Sequence, residues 1–413
     1  MRILAGKSAA ARVRKLAARN SALASVEPRV RRIIHDVRSQ GDRALRRYAQ
    51  KWDGLEKRAK LRVTDDEIEA AWDSSDARFR SSLRSAAANI RRFCEWQKPV
   101  EWLRTRQGIS VGQLVRPLDS VGCYVPGGRY PLVSTLLMTV IPAQVAGVKN
   151  IRVVSPRPKR EVLAAAAKLG MREVYRVGGA QAIAALAYGT ETIPRVDKIV
   201  GPGNLYVAAA KKLVSFDCAI DFLAGPTEVV VLADSGSPDF IAADLVAQAE
   251  HDPEVLAIFV TTRSELAKQV SQRVEALARQ NPTARQSLRA SGVVLLAQSR
   301  EQALDWANQI APEHISVEPG NLPLIRNAGS VFVGEYSPQA AGDYASGPNH
   351  VLPTGGTARF RGGLSVLDFV KLISVQKISR SGLRQIAPLI DSLAMTEGLL
   401  AHAESVRLRC GHA

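Results

Sequence analysis

"SVGCYVPGG", residues 120–128, decides the fold. A short apolar run stops at Pro126, Gly127 and Gly128. Such a run reads as a buried strand that ends in a turn, because glycine and proline supply backbone angles a strand cannot use. The same texture returns at "IRVVSP" (151–156), "EVYRVGG" (173–179) and "DKIVGPGN" (197–204). Alanine-rich stretches lie between, such as "LAAAAKLG" (163–170) and "AQAIAALAYG" (180–189). Strand, turn and helix, repeated, is the pattern of a parallel sheet covered by helices.

Working outward, the pattern resumes at "EVVVLAD" (228–234), the helical "PDFIAADLVAQAEH" (238–251) and "LAIFVTT" (256–262). "GVVLLAQ" (292–298) and "GSVFVG" (329–334) follow. This predicts two α/β units with a break near "AGPTE" (224–228). Upstream, residues 8–110 read mostly as helices, as in "VEPRVRRIIHDVRSQGDRALRRYAQKWDG" (26–54), where apolar residues recur at helical spacing. The segment from about Leu367 onward also reads as helical. In such sheets ligands lie at the carboxyl ends of strands, so the Gly-Pro turns are where a cofactor belongs. The fingerprint G-x-G-x-x-G is absent, since "GPGNLY" (201–206) lacks the third glycine.

The length of 413 residues exceeds one ordinary core. No run of about 18 apolar residues suggests a membrane helix. Cys94, Cys123, Cys218 and Cys410 are scattered, which points to reduced thiols and a cytoplasmic protein. The net charge is +17, and residues 1–106 hold 26 Lys and Arg against 13 Asp and Glu, a local +13. A nucleic-acid or membrane-surface patch is one reading of that excess. Solvated helix faces are the other and the preferred one, because no aromatics interleave with the basic residues as stacking platforms. The first 26 residues lack acids and are rich in Arg, Ala and Ser, which suits either a transit peptide or a basic N-terminal helix.

Five places offer chemistry. In "AQAEH", Gln248 and His251 are three apart, so on a helix they share a face and could grip one metal ion. In "APEHISVE", Glu313 and His314 pair a carboxylate with an imidazole, two proton-transfer groups. "GDYASGPNH" (342–350) carries Asp343 and His350 in a stretch rich in turn formers. "MTEGLLAH" holds Glu397 and His402, five apart and so not aligned on one helix face. Tyr124, Gln181 and Asn204 sit beside the Gly turns. Each place alone reads equally as plain polar surface or capping. Together they hold four of the six histidines, and two His, one Asp and one Gln form an N/O donor set that fits Zn²⁺ and tolerates Mn²⁺ or Co²⁺.

The chain resembles the histidinol dehydrogenase family. The residues that carry the resemblance are "YVPGGRYPLVSTLLM" (124–138), "VGGAQAIAALAYGTETIPRVDKIVGPGN" (177–204), "DFLAGPTEVVVLAD" (221–234), "AQAEHDP" (247–253), "APEHI" (311–315), "GSVFVG", "AGDYASGPNHVLPT" (341–354) and "TEGLLAH" (396–402). They follow the family's order across roughly residues 25–410. The resemblance implies zinc ligands at Gln248, His251, Asp343 and His402, one Zn²⁺ per subunit, and a catalytic pair at Glu313 and His314. It implies substrate contacts at Thr227, His350 and Glu397, along with the zinc ligands and His314, and NAD contacts at Tyr124, Gln181 and Asn204. The family commonly has Ser where this chain has Thr227, which keeps the hydroxyl and adds a methyl.

The implied activity is oxidation of L-histidinol to L-histidine through L-histidinal with two NAD⁺, the last steps of histidine biosynthesis. The alternative is a paralogous zinc- and NAD-dependent enzyme for another polar alcohol, such as a sulfonated diol. The implied fold is α/β, with two incomplete Rossmann-like domains and small helical N- and C-terminal segments in an intertwined homodimer. In this chain that gives an N-terminal helical arm at 1–24 and a discontinuous first domain at 25–119 and 228–366, carrying the metal and catalytic residues. The NAD-side domain is 120–227, and the C-terminal helical segment, 367–413, completes the partner's site.

Overall fold

Two parallel sheets follow from the two series of apolar runs. The computed structural model describes residues 1–19, 22–127 and 131–411. Part of the glycine turn of "YVPGGRYP", residues 128–130, therefore lies outside the described residues. The NAD-side sheet has five strands in the order Val174–Tyr175, Asn150–Val154, Ser120–Tyr124, Lys198–Val200, Ala219–Ile220. The other has six, in the order Arg2–Ala5, Val293–Leu296, Leu256–Thr261, Glu228–Leu232, His314–Val317, Ser330–Val333. Every pairing in both sheets is parallel. Parallel sheets are covered on both faces, which is why strands such as Glu228–Leu232 are buried at every position rather than alternating. The chain passes from the five-stranded sheet to the six-stranded sheet between Ile220 and Glu228.

The domain boundaries differ from those drawn on the sequence. Residues 1–24 do not form a separate arm: Arg2–Ala5 pairs with Val293–Leu296 at the edge of the six-stranded sheet, and the helix Gly6–Ala17 buries Ala9, Val13 and Leu16 against that sheet's unit. Nor do the helices of 25–119 belong to the six-stranded unit. Glu27–Tyr48 places Val30, Ile33, Val37 and Leu45 in one core with Ile183, Leu186 and Val207 of the NAD side. Asp65–Asp73 and Ala77–Trp96 pack Ile68, Leu83 and Ile90 against the helices that cover the same five-stranded sheet. Helical periodicity reveals an apolar face but not which sheet that face meets, so this assignment was not legible.

The C-terminal segment is not wholly helical. Val370–Ile378 is a nine-residue strand, antiparallel to Ile109–Pro117, which also pairs with Trp102–Arg106. The helices Arg380–Thr396 and Leu400–Cys410 then pack on each other. The first buries only Gly382 and Ala394, and the second only Ala403. Leu389, Leu393, Met395, Leu399 and Leu400 stand exposed.

Candidate active site

The six-stranded sheet builds the site at the starting ends of two neighbouring strands. Glu228 opens one and His314 opens the next, and His314 pairs in register with Val229. His314 is almost fully buried, stacked at 6.0 Å on Phe332 of the adjoining strand. Its Nδ1 lies 3.3 Å from the carbonyl oxygen of Glu228. A carbonyl only accepts, so Nδ1 carries the proton and Nε2 is left as a lone-pair acceptor. Nε2 has no hydrogen-bond partner and faces Asp343 Oδ1 at 3.9 Å. Burial drives the imidazole down to about 4, so it is neutral near pH 7. A buried orphan acceptor costs stability, which makes this nitrogen a functional feature rather than packing.

Glu313, also buried, lies beside it, with Oε2 3.7 Å from His314 Nδ1. That oxygen accepts from the Glu228 N–H at 2.9 Å and from the Thr227 hydroxyl. Burial raises the carboxyl to about 8 in spite of those donors. Thr227 in turn accepts from Gln248 Nε2 at 2.6 Å. The amide nitrogen of Gln248 is thereby committed, and its oxygen is left free to act as a donor to a cation.

Asp343 is not on a loop, as the turn formers suggested. It lies in the last turn of a short helix, Gln339–Tyr344, and the loop begins after it. A Cβ on Gly342 would sit 2.8 Å from the Phe332 ring, so the bare glycine lets this helix close down and carry Asp343 to His314. His350 returns from the loop to donate through Nδ1 to the Asp343 carbonyl at 2.9 Å. Burial lowers its imidazole to about 4 as well, and burial raises the Asp343 carboxyl. His251 lies just past the helix Pro238–Ala249, exposed, near enough to act on the charge of His314, Asp343 and His350.

A second cleft, of about 580 Å³, opens on the five-stranded sheet. Tyr124, Gln181 and Asn204 line it together, with Asp252, the neighbour of His251, in its wall. The Tyr124 hydroxyl accepts from the Gly179 N–H at 3.1 Å, and burial pushes it up to about 12. Asn204 caps the helix Leu205–Val214 through Oδ1.

The geometry is a buried imidazole without a partner on one sheet and a cleft of about 580 Å³ on the other. A sequence model of the histidinol dehydrogenase family matches residues 16–410. The chain belongs to the histidinol dehydrogenase family. Histidinol dehydrogenase from Syntrophotalea carbinolica is 49% identical over 398 residues, 93% of this chain and 92% of that protein. The enzyme from Methanothermobacter thermautotrophicus is 48% identical over 392 residues, 91% and 92% of the two chains. The crystal structure of histidinol dehydrogenase from Elizabethkingia anophelis superposes with a TM-score of 0.93 at 37% identity, over 99% of this chain and 98% of that one. Membership makes this an NAD-dependent oxidoreductase of histidine biosynthesis. No observation favours a sulfonated diol or another alcohol as the substrate.

The histidinol dehydrogenase fold thus lines one cleft with His314, Asp343 and His350, sets Glu313, Thr227 and Gln248 in a bonded series beside His314, leaves His251 in a separate groove, and lines the NAD-side cleft with Tyr124, Gln181 and Asn204. It does not bring Glu397 and His402 to either cleft. Both are exposed, Glu397 in the turn between the C-terminal helices and His402 on the last of them. Among the described residues, no three His, Cys, Asp or Glu side chains of one chain lie close enough to hold a metal ion. His251, Asp343 and Gln248 are ligand types for zinc, and one chain does not close a site around them. Sequence reading missed Phe332, whose ring carries His314. It also missed Asp53, Trp52, Arg29 and Tyr206 in the wall of the NAD-side cleft. Assigning residues 25–119 to the other unit hid Arg29, Trp52 and Asp53.

Proposed function

We propose that this chain oxidises L-histidinol to L-histidine through the aldehyde, consuming two NAD⁺ and one water, at a site completed by a second copy of itself. The observation that carries the reading is His314 Nε2: neutral, buried, without a partner, and facing Asp343 in the wall of the same cleft. It takes the carbinol proton as hydride leaves for nicotinamide. Glu313 keeps Oε1 clear of the Thr227 and Glu228 bonds, and that oxygen serves as the base for the water of the second oxidation. Gln248, His251, Asp343 and His402 of the partner subunit would hold one Zn²⁺, which when bound supplies a Lewis acid that orients the substrate's nitrogens. His350 and Glu397 of the partner subunit grip the polar end of histidinol. Tyr124, Gln181 and Asn204 hold NAD. The exposed apolar C-terminal helices support a homodimer. The four free cysteines support a cytoplasmic enzyme.

Purified protein should form NADH from L-histidinol, lose that activity on prolonged treatment with a chelator, and recover it with Zn²⁺. Activity that survives removal of all metal, verified by elemental analysis, contradicts the zinc assignment.

Thr227 gives a second expectation. Its hydroxyl bridges Glu313 and Gln248, so Thr227→Ser, which keeps the hydroxyl, should be nearly silent. Thr227→Val keeps the shape and removes the bridge, leaving buried groups unpaired at a cost of about 1–3 kcal/mol. That predicts a fall of roughly 5- to 150-fold in kcat/KM. If valine matches the parent while serine is impaired, the position is packing.

A further inference from the structure

We propose that Asp53 is a positioning residue for the cofactor: its carboxylate fixes which face of the Gln181 amide meets NAD. The inference rests on the reading of Gln181 as a cofactor contact. Asp53 comes from the N-terminal helices and not from the NAD-side sheet. It ends a single π-helical turn, Ala49–Asp53, which stops at Gly54 in the left-handed region, φ 68°. π-turns of this kind recur at functional positions. The turn drives the carboxylate into the start of the helix Gly179–Tyr188, where it is 6% exposed.

That helix start has no cap of its own, since Gly178 carries no side chain to provide one. Asp53 Oδ2 provides it from 125 residues away, accepting the Gly178 N–H at 3.0 Å. The same oxygen accepts from Gln181 Nε2 at 3.0 Å. A carboxylate offers no proton here, so it holds the amide nitrogen and turns the amide oxygen the other way. A Cβ built on Gly179 would lie 2.7 Å from that Oε1, so the bare glycine leaves the oxygen uncovered. Asp53, Gly179 and Gln181 all line the cleft. Without Asp53 the amide could present either its NH₂ or its oxygen, and the cofactor would meet a mixture.

The test compares steady-state constants for both substrates. Asp53→Ala should raise KM for NAD⁺ by about 10-fold, with kcat and KM for L-histidinol unchanged. Asp53→Asn keeps an oxygen able to accept both bonds and should stay within about 3-fold of the parent. In a Gln181→Ala background, Asp53→Ala should add little, because the two act as one unit. If Gln181→Ala alone leaves KM for NAD⁺ unchanged, the reading of Gln181 as a cofactor contact fails, and the proposal with it. If Gln181→Ala raises KM but Asp53→Ala does not, or adds its full effect in the double variant, the proposal fails while that reading stands. Should Asp53→Ala fail to fold, Gln181→Glu tests the same contact with Asp53 and its Gly178 bond in place. Two carboxylates then meet, and KM for NAD⁺ should fall as the pH is lowered and one of them protonates. A KM independent of pH in that variant overturns the proposal.

Discussion

Asparagine in place of His314 is expected to slow both oxidations by about 10²–10⁴, the usual cost of losing a positioned proton acceptor. The variant keeps polarity at the start of the strand but has no basic nitrogen where Nε2 stands. Glu313→Gln should behave differently. Only the aldehyde-to-acid step needs an activated water, so that step should fall by a similar factor while alcohol oxidation is largely spared. The pH dependence follows from the raised carboxyl. A base works ionised, and burial holds Glu313 near 8. The parent's aldehyde step should therefore gain rate as pH rises through about 8, and Glu313→Gln should lose that gain. His314, held near 4, is already neutral throughout that range and contributes no slope. Rates on L-histidinol and on L-histidinal, measured separately, check all of this. Equal losses on both substrates in Glu313→Gln would show that Glu313 has no special role with water.

The second large effect concerns the shared site. Within one chain, His402 is exposed on the last helix and the metal donors are incomplete. Two inactive variants, His251→Ala and His402→Ala, refolded together should regain activity. If the C-terminal helices cross over, each heterodimer has one site with both lesions and one with neither. Random pairing makes about half of the dimers mixed, so activity should recover to about a quarter of the parent by the logic of a symmetric dimer. If the helices serve their own subunit, every site keeps a lesion. No recovery, with mixed dimers verified by mass, would reject the crossover and leave the roles of Glu313 and His314 untouched.

Much of the fold is written locally. Val229–Leu232, Ile258–Thr261 and Val293–Leu296 are runs of β-branched, aliphatic and aromatic residues long enough for a buried strand, and Gly and Pro punctuate them. What is not local was not legible. Val30, Ile33 and Val37 announce a helix face, but whether it covers one sheet or the other depends on the complementary surface of Ile183 and Val207. "VKLISVQKI" (370–378) breaks alternation at Leu372 and Ile373, it sits among helical neighbours, and its partner, Ile109–Pro117, is far away in sequence. The site divides in the same way. Residue types and spacing picked out Gln248, His251, Glu313, His314, Asp343 and His350, but only through the family resemblance did they form one constellation. Spacing gives no sign that Thr227 bridges Glu313 to Gln248, or that Asp53 reaches Gln181. Both depend on where separate segments meet.

The central claim is that one site carries out both oxidations. The direct measurement is the ratio of NADH formed to L-histidine released when a limiting amount of L-histidinol is exhausted by the purified protein. The account predicts two NADH for each histidine, with no aldehyde left in solution. One NADH per histidinol with the aldehyde accumulating, or no turnover of histidinol with zinc and NAD⁺ supplied, would contradict it.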